Sequence, residues 1–152
     1  MPRRDSSRYK REVCSVKVIK CTPDMSQRIW QIERECFSDP WRLSSIERDI
    51  EIGRVFCAFS DEEIVGFIVF WSVLDECEIA SLAVSGEHRR KGAAKALLEY
   101  ALSFPDKKFF LEVREGNTAA RTLYKSYGFT EYGRRKNYYK NPTEDAILYR
   151  KC

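Results

Sequence analysis

The stretch from residue 79 to residue 102 constrains the fold more than any other part of the chain. Its first six residues, from Ile79 to Val84, are small and mostly apolar, which predicts a short buried strand. From Ala93 onward the residues are mainly Ala, Leu, Lys and Glu, which are strong helix formers. The N-terminus of a helix carries unpaired N–H groups and the positive end of the helix dipole. The stretch therefore predicts a strand, a turn and a helix whose first residues attract an anion.

The turn between this strand and this helix has the composition of a pyrophosphate site. Arg89, Arg90 and Lys91 supply positive charge, and Gly92 lets a ligand approach the backbone where a Cβ atom would block it. No Gly-Lys-Ser/Thr follows, so the turn is not a Walker A loop, and it lacks the three-glycine spacing of a dinucleotide fingerprint. The residues alone leave two interpretations open, an anion site or a basic surface turn that caps an ordinary helix.

Length and composition indicate one globular domain. The chain has 152 residues, of which 43% are hydrophobic, and this is enough for one core. The longest uncharged apolar run, from Ile64 to Leu74, is too short to span a bilayer. No apolar segment near the N-terminus resembles a signal peptide, so we expect a cytoplasmic protein.

The net charge of +4 belongs to the N-terminal end of the chain. Residues 1–20 contain seven Lys or Arg and two acidic residues, whereas the other 132 residues contain 20 basic and 21 acidic side chains. Nucleic-acid enzymes concentrate basic charge on the domain face, so direct nucleic-acid binding by this near-neutral body is not expected. We predict a basic flexible tail at residues 1–14 and a single domain at residues 15–152.

Cysteine and histidine usage argues against a metal site and against a disulfide framework. The cysteines include no Cys-x-x-Cys pair and the chain has one histidine, so no zinc site is expected. With no second histidine to activate a thiol, a cysteine nucleophile is not expected either. Cys57 and Cys77 lie in apolar segments and are interpreted as small buried residues. The six cysteines are at positions 14, 21, 36, 57, 77 and 152.

Hydrophobic periodicity and turn residues predict strands and helices along the whole chain. Residues 63–73 are apolar on both faces, which is typical of a central strand covered by helices on each side of the sheet. Asn117 and Gly128 are the expected N-cap and C-terminal stop of one helix. Strands are predicted at residues 15–20, 55–60, 63–73, 76–84 and 109–114, other helices at residues 22–37, 44–52 and 93–102, and a final hairpin from residues 133–139 to 144–146.

Four segments, taken in order, resemble the GNAT acetyltransferase superfamily. Residues 89–94, Arg-Arg-Lys-Gly-Ala-Ala, are similar to its motif Arg/Gln-x-x-Gly-x-Gly/Ala, which holds the CoA pyrophosphate in that family. The other three segments resemble the RimI-type subgroup of protein N-terminal acetyltransferases. They are residues 33–41, residues 111–129 and the final hairpin. The resemblance covers about residues 15–149. It implies an α/β fold of the GNAT type, with a mixed central sheet of about six to seven strands flanked by about four helices.

Three residues near the basic turn depart from the family pattern. A proline and an aromatic residue are usual before the turn, where this chain has Gly86 and His88. Ala93 stands where the family has a larger aliphatic residue. These departures affect the expected shape of the turn more than its anion binding, because Gly92 and the helix N–H groups remain.

The resemblance implies an acetyl-CoA-dependent N-acetyltransferase, with no metal, that modifies the N-terminal α-amine of a protein. RimI-type enzymes act on a small-subunit ribosomal protein, so such a protein is the expected acceptor. Two alternatives stay open, a lysine or small-amine acetyltransferase of the same fold and a non-catalytic acyl-CoA-binding partner of a tRNA-modification complex. Intact Glu112 and Tyr124 argue against the non-catalytic alternative.

The resemblance makes Glu112 the expected base and Tyr124 the expected acid. Glu112 has apolar strand neighbours, and an apolar environment would make its carboxylate a stronger proton acceptor. Considered alone, Glu112 is also compatible with an ion pair to Arg114 or Lys107, and Tyr124 with a core residue whose hydroxyl is hydrogen-bonded. His88 lies at the phosphate turn, away from the expected thioester, so we do not expect it to be the base.

The remaining expected contacts follow from the same resemblance. Backbone N–H groups of residues 82–84 would hold the thioester carbonyl, as an oxyanion-type contact. Cofactor contacts are expected at Leu82, Ala83, Val84, Arg89, Arg90, Lys91, Gly92, Ala93, Ala94 and Asn117. Acceptor contacts are expected at Phe37, Pro40, Trp41 and Tyr138, although Phe37 and Trp41 by themselves also fit two core aromatics at a helix corner.

Deletion of residues 1–13 is expected to change little. The segment is highly basic and has no apolar periodicity, so its removal should leave the melting temperature and the turnover of a short peptide nearly unchanged. Thermal denaturation and a steady-state peptide assay on the truncated chain measure both. A large loss of either would show that the segment is part of the domain.

Overall fold

The computed structural model describes residues 15–105 and 107–152, so the predicted tail at residues 1–14 lies outside the described residues. Within these ranges no helix is long and apolar enough to cross a membrane. The strands are β1 (Lys17–Lys20), β2 (Val55–Ser60), β3 (Glu63–Val73), β4 (Glu76–Val84), β5 (Lys108–Arg114), β6 (Thr130–Tyr139) and β7 (Glu144–Lys151). The α-helices are α1 (Ser26–Cys36), α2 (Leu43–Glu51), α3 (Ala93–Leu102) and α4 (Thr118–Ser126).

The strands form one mixed sheet in the order β1-β2-β3-β4-β5-β7-β6. Neighbouring strands are antiparallel except β4 and β5, which are parallel. The side chains of residues 64–70 in β3 are all buried, which confirms the prediction of a central strand covered on both faces. One core cluster contains residues of α1 and α2, and the other contains residues of α3 and α4, so the helices lie on opposite faces.

Most predicted elements are confirmed with bounds within two residues, and the first helix and the final hairpin differ most. The hairpin strands were predicted at residues 133–139 and 144–146, and they extend over Thr130–Tyr139 and Glu144–Lys151. The predicted helix at residue 22 begins as a short 3-10 turn, Pro23–Met25, and the α-helix starts only at Ser26. Proline has no N–H to donate and is suited to the first turn. The tight turn between β2 and β3 consists of Asp61 and Glu62, which both have positive φ, as a two-residue turn of type I′ requires.

The two parallel strands separate halfway along their length. Their pairing ends at Ile79 opposite Leu111, although β4 continues to Val84 and β5 to Arg114. A register shift between β3 and β4 lies at the same level, where Ala80 is an extra residue without a partner on β3. Because a bulge bends and twists its strand, β4 turns away from β5 here. The sheet therefore has a wedge-shaped opening, which we call the wedge, between residues 80–84 and residues 112–114.

Helices α3 and α4 begin beside this wedge with different caps. Gly92 precedes α3 with φ +88°, a left-handed conformation that glycine adopts without steric cost. Asn117 caps α4, because its Oδ1 accepts a hydrogen bond of 3.2 Å from the N–H of Ala120, which confirms the predicted N-cap. Gly128 follows α4 with φ +90°, which confirms the predicted stop.

Candidate active site

Two adjoining cavities meet at the wedge. The first, of about 730 Å³, extends between α1, β5 and the β6–β7 hairpin, and the second, of about 970 Å³, extends to the N-terminus of α3. We call them the first cavity and the second cavity. The residues that line both are Cys36, Phe37, Leu82, Arg114, Asn117, Ala120, Tyr124 and Glu144. A molecule in one cavity can therefore contact a molecule in the other.

The second cavity ends at an uncapped helix N-terminus. No side chain in the described part of the chain caps α3, so the N–H groups of its first turn are available to a ligand. A Cβ atom built on Gly92 would meet no heavy atom within 4 Å. Arg89 and Arg90 also line this cavity, and Arg90 has a left-handed φ of +65°. The arrangement has the backbone dipoles, the space and the positive charge that an anionic group requires.

The shape of the turn is supported by α1. Glu35 Oε1 accepts a hydrogen bond of 2.8 Å from the backbone N–H of Gly86, and the N–H of His88 donates to the carbonyl of Ser85 at 2.9 Å. A Cβ atom on Gly86 would lie 3.1 Å from Glu35 Oε1, which is a close contact. Because Gly86 has no Cβ atom, the Glu35 carboxylate of α1 can approach the turn and hold its shape. This is the local consequence of having Gly86 at a position where the family pattern differs.

Glu112 projects from β5 into a polar environment. Its Oε1 lies 3.3 Å from Nε of Arg135 on β6, and the side chain is 24% exposed. The negative charge of Glu112 raises the pKa of Tyr138, and desolvation and a hydrogen bond to Glu112 raise it further. The prediction that Glu112 has apolar surroundings is therefore wrong. An ion pair is present, but with Arg135 and not with Arg114 or Lys107. Arg135 is near because β7 pairs with β5 and β6 lies alongside β7 in the same sheet.

Tyr124 lies where the two cavities join. Its side chain is 6% exposed, and its ring packs edge-to-face on Phe129 at 5.7 Å between centroids. Burial raises the pKa of the Tyr124 hydroxyl, and the nearby Tyr139 adds to the shift. The hydroxyl consequently keeps its proton near neutral pH. The residue is thus part of the core and part of the cavity lining at once.

Most of the other predicted site residues line the two cavities. Leu82, Asn117, Phe37, Trp41 and Tyr138 line the first cavity, and the residues that line the second include Leu82, Ala83, Val84, Arg89, Arg90, Gly92, Ala93, Ala94 and Asn117. Pro40 and Lys91 are exposed and line neither.

Arg114 is a cavity residue that the sequence interpretation did not include among the site residues. Its guanidinium donates to the carbonyl oxygens of Lys140 and Pro142 at 2.7 and 3.0 Å, and to Ser38 Oγ at 3.3 Å. It also pairs with Glu144 at 3.1 Å. Arg114 thereby connects the loop after α1 to the turn between β6 and β7 across the first cavity. The sequence contained a signal for this role, because Arg114 follows Glu112 by two residues and so lies on the same face of the strand.

Glu33 is a second residue that the sequence interpretation missed. It is 2% exposed on the inner face of α1, and burial raises the pKa of its carboxyl group, partly offset by a backbone hydrogen bond. Its Oε2 accepts that bond, of 3.0 Å, from the N–H of Trp41. The available signal was an acidic residue on the apolar stripe that includes Ile29 and Ile32.

This arrangement fits the class of acyltransferases. The uncapped N-terminus of α3 and a cavity lined by a carboxylate and a buried phenol meet at an opening between two parallel strands. Residues 26–129 match the model of the Acetyltransferase (GNAT) family, so the chain belongs to the GNAT acetyltransferase family. No group of three or more possible metal ligands occurs among residues 15–105 and 107–152.

Similar proteins of known name and structure agree with this assignment. The chain is 32% identical over 130 residues to the [ribosomal protein bS18]-alanine N-acetyltransferase of Salmonella typhimurium, covering 78% of this chain and 85% of that protein. The crystal structure of the ribosomal-protein-S18-alanine N-acetyltransferase from Escherichia coli superposes with a TM-score of 0.81 at 28% identity, covering 90% and 92% of the two chains. Arabidopsis thaliana Naa50, solved with the bisubstrate analogue CoA-Ac-MVNAL, shares the fold with a TM-score of 0.79 at 20% identity, covering 91% and 99%.

Proposed function

We propose that this chain transfers the acetyl group of acetyl-CoA to the N-terminal α-amine of a ribosomal protein, with the N-terminal alanine of bS18 as the acceptor. The observation that carries the proposal is that Glu112 and Tyr124 line the same cavity, which adjoins the cavity that ends at the uncapped N-terminus of α3. The 32% identity to bS18-alanine N-acetyltransferases supports this choice of acceptor. As a modifier of ribosomal proteins, the chain would work in the cytoplasm. The acetyltransferase domain would comprise residues 15–152.

The second cavity fits the co-substrate. The pyrophosphate would contact the N–H groups at the start of α3 and the guanidinium groups of Arg89 and Arg90, where Gly92 leaves the backbone open. Asn117 and residues 82–84 line the same cavity nearer the wedge. Beyond Ile79 the edge of β4 is not paired with β5, so its backbone N–H groups can donate to a carbonyl oxygen that gains negative charge.

The first cavity is suited to an α-amine. At pH 7 roughly a tenth of an α-amino group with a pKa of about 7.7–8.0 is neutral, against less than about a thousandth of a lysine with a pKa near 10.4. As the amine nitrogen bonds to the thioester carbon, Glu112 accepts the proton that the amine loses, directly or through one water. The ion pair with Arg135 holds the carboxylate in position for this.

Tyr124 completes the proton balance. When the carbon–sulfur bond breaks, the sulfur leaves as a thiolate, and the Tyr124 hydroxyl supplies its proton or a hydrogen bond. Because burial raises the pKa of Tyr124, the hydroxyl holds its proton until a strong acceptor forms beside it. The products are an N-acetyl peptide and a free thiol.

Mass spectrometry on two peptides tests the proposed function. The purified chain with acetyl-CoA is expected to add one acetyl group to an alanine-initiated peptide with a bS18 N-terminal sequence. It should not modify the same peptide with a blocked N-terminus and an internal lysine. Acetylation of the blocked peptide would favour a lysine acetyltransferase, and binding of acetyl-CoA with no turnover of any peptide would favour a non-catalytic role.

Gly92→Val is expected to weaken acetyl-CoA binding by roughly 10- to 100-fold, the value of one hydrogen bond to a charged group. The branched side chain would occupy the space above the helix terminus that is open in the structure. Isothermal titration calorimetry measures the affinity.

Gly53→Val is the matched control, because Gly53 also has a left-handed φ, of +80°, but lines neither cavity. Both variants should lose about 1–3 kcal/mol of unfolding free energy through backbone strain. Only Gly92→Val should lose affinity. Unchanged affinity in a folded Gly92→Val variant would contradict the assignment of the anion site.

A further inference from the structure

Glu33 has one carboxylate oxygen that the protein uses and one that it does not. Oε2 accepts the N–H of Trp41, whereas Oε1 is shielded from solvent and has no hydrogen-bond partner among the residues that the structure describes. A buried carboxylate oxygen without a partner costs free energy, so native structures seldom keep one. Such a group needs an explanation, and a bound ligand that donates a hydrogen bond would provide one.

The place of Glu33 indicates which ligand this is. Glu33 lines the first cavity together with Glu112 and Tyr138, and it does not line the second. The acceptor and not the co-substrate is therefore the molecule within its reach. The bond to Trp41 also holds the orientation of the carboxylate, so Oε1 is preorganised before the acceptor arrives.

The chemistry of the reaction selects the donor on the acceptor. The N-terminal end of a peptide that begins with alanine offers two kinds of N–H donor, the α-amine of the alanine and the N–H of the first peptide bond, which belongs to the second residue. Glu112 is the carboxylate that takes up the proton of the α-amine, and a second carboxylate close to the amine would stabilise its ammonium form further and so oppose attack on the thioester. A peptide N–H donates without changing the protonation of the amine. Oε2 of the same carboxylate already accepts a backbone N–H, that of Trp41.

We propose that Glu33 is a positioning residue whose Oε1 accepts a hydrogen bond from the N–H of the first peptide bond of the acceptor. The inference rests on the proposed function and names one determinant of how that acceptor is held. It explains why an acidic residue occupies the buried face of α1, where an apolar residue would pack at lower cost. It also favours acceptors whose second residue has a backbone N–H, so proline at that position should be disfavoured.

The test compares Glu33→Gln with the wild-type chain on two alanine-initiated peptides, one unmodified and one N-methylated at the first peptide bond. The glutamine keeps the shape and can still accept the N–H of Trp41, but it then presents an amide donor where Oε1 was. The KM of the unmodified peptide is expected to rise roughly 10- to 100-fold, with a smaller change in kcat. N-methylation should raise the KM of the wild-type chain to a similar extent. For Glu33→Gln acting on the N-methylated peptide, the two increases in KM should not add, because the substitution and the methyl group remove the same hydrogen bond.

Several controls make the outcome decisive. Glu47→Gln removes an exposed carboxylate of α2 that lines neither cavity, and it should leave both KM values unchanged. The melting temperature and the acetyl-CoA affinity of Glu33→Gln should match those of the wild-type chain. A peptide N-methylated at the second peptide bond should behave on the wild-type chain like the unmodified one, and this arm remains informative if the variant does not fold.

Two results would overturn the inference about Glu33. One is an equal rise in KM, caused by Glu33→Gln, for the methylated and the unmodified peptides. The other is an unchanged KM of the wild-type chain for the peptide that is methylated at the first peptide bond. Turnover of the unmodified peptide by the wild-type chain reports the proposed function, whereas the comparison between peptides reports Glu33. The two hypotheses can therefore fail separately.

Discussion

Tyr124→Phe is expected to lower turnover by about 10²–10⁴-fold while leaving the affinity for acetyl-CoA nearly unchanged. The substitution removes one oxygen and keeps the ring, which packs edge-to-face on Phe129, so the melting temperature should change little. The hydroxyl matters only when the thiolate leaves, and an interaction made only in the transition state affects kcat and not ground-state binding. Steady-state kinetics on an alanine-initiated peptide and calorimetry with acetyl-CoA measure the two quantities.

Tyr127→Phe is the matched control for this prediction. Tyr127 lies one turn further along the chain from Tyr124, donates its hydroxyl to Glu99 at 2.6 Å and lines neither cavity. Loss of that hydroxyl should leave turnover unchanged. Wild-type turnover in Tyr124→Phe would remove the general-acid role and leave Tyr124 as a core residue.

Glu112→Gln is expected to lower the rate on an α-amine acceptor by about 10²-fold and to lower it further on a lysine acceptor. The α-amine needs less assistance because a larger fraction of it is neutral at pH 7. The substitution should also shift the acidic limb of the pH–rate profile, since the carboxylate that takes up the proton is gone. Rates on the two peptides and a pH series on the α-amine peptide test these expectations.

Glu131→Gln controls for the loss of a carboxylate from an ion pair. Glu131 pairs with Arg121 at 3.4 Å, close to the 3.3 Å between Glu112 and Arg135, but it lines neither cavity. Its loss should leave the pH–rate profile unchanged. If Glu112→Gln retained the full rate and the full profile, the base would have to be another group.

Much of the fold was predictable because it depends on residues that are near each other in the chain. The strand β3 could be located and placed at the centre of the sheet because both of its faces are apolar, and hydrophobic periodicity is a local property. The Asn117 cap and the Gly128 stop depend on single residues at the ends of one helix. The turn before α3 combines Gly92 with neighbouring arginines, and those residues are consecutive.

The sequence by itself therefore determined the order of the elements, the GNAT resemblance and a set of site residues most of which line the two cavities. Only the tertiary structure decided how their polar atoms are paired. Glu112 pairs with Arg135 because the β6–β7 hairpin folds back beside β5, and this register is set by packing between strands far apart in sequence. The wedge itself depends on a bulge at Ala80, and the free oxygen of Glu33 depends on where the loop after α1 presents the N–H of Trp41. Periodicity reports which face of an element is buried, whereas a hydrogen-bond or ion-pair partner depends on ångström-scale distances between elements, which no local pattern encodes.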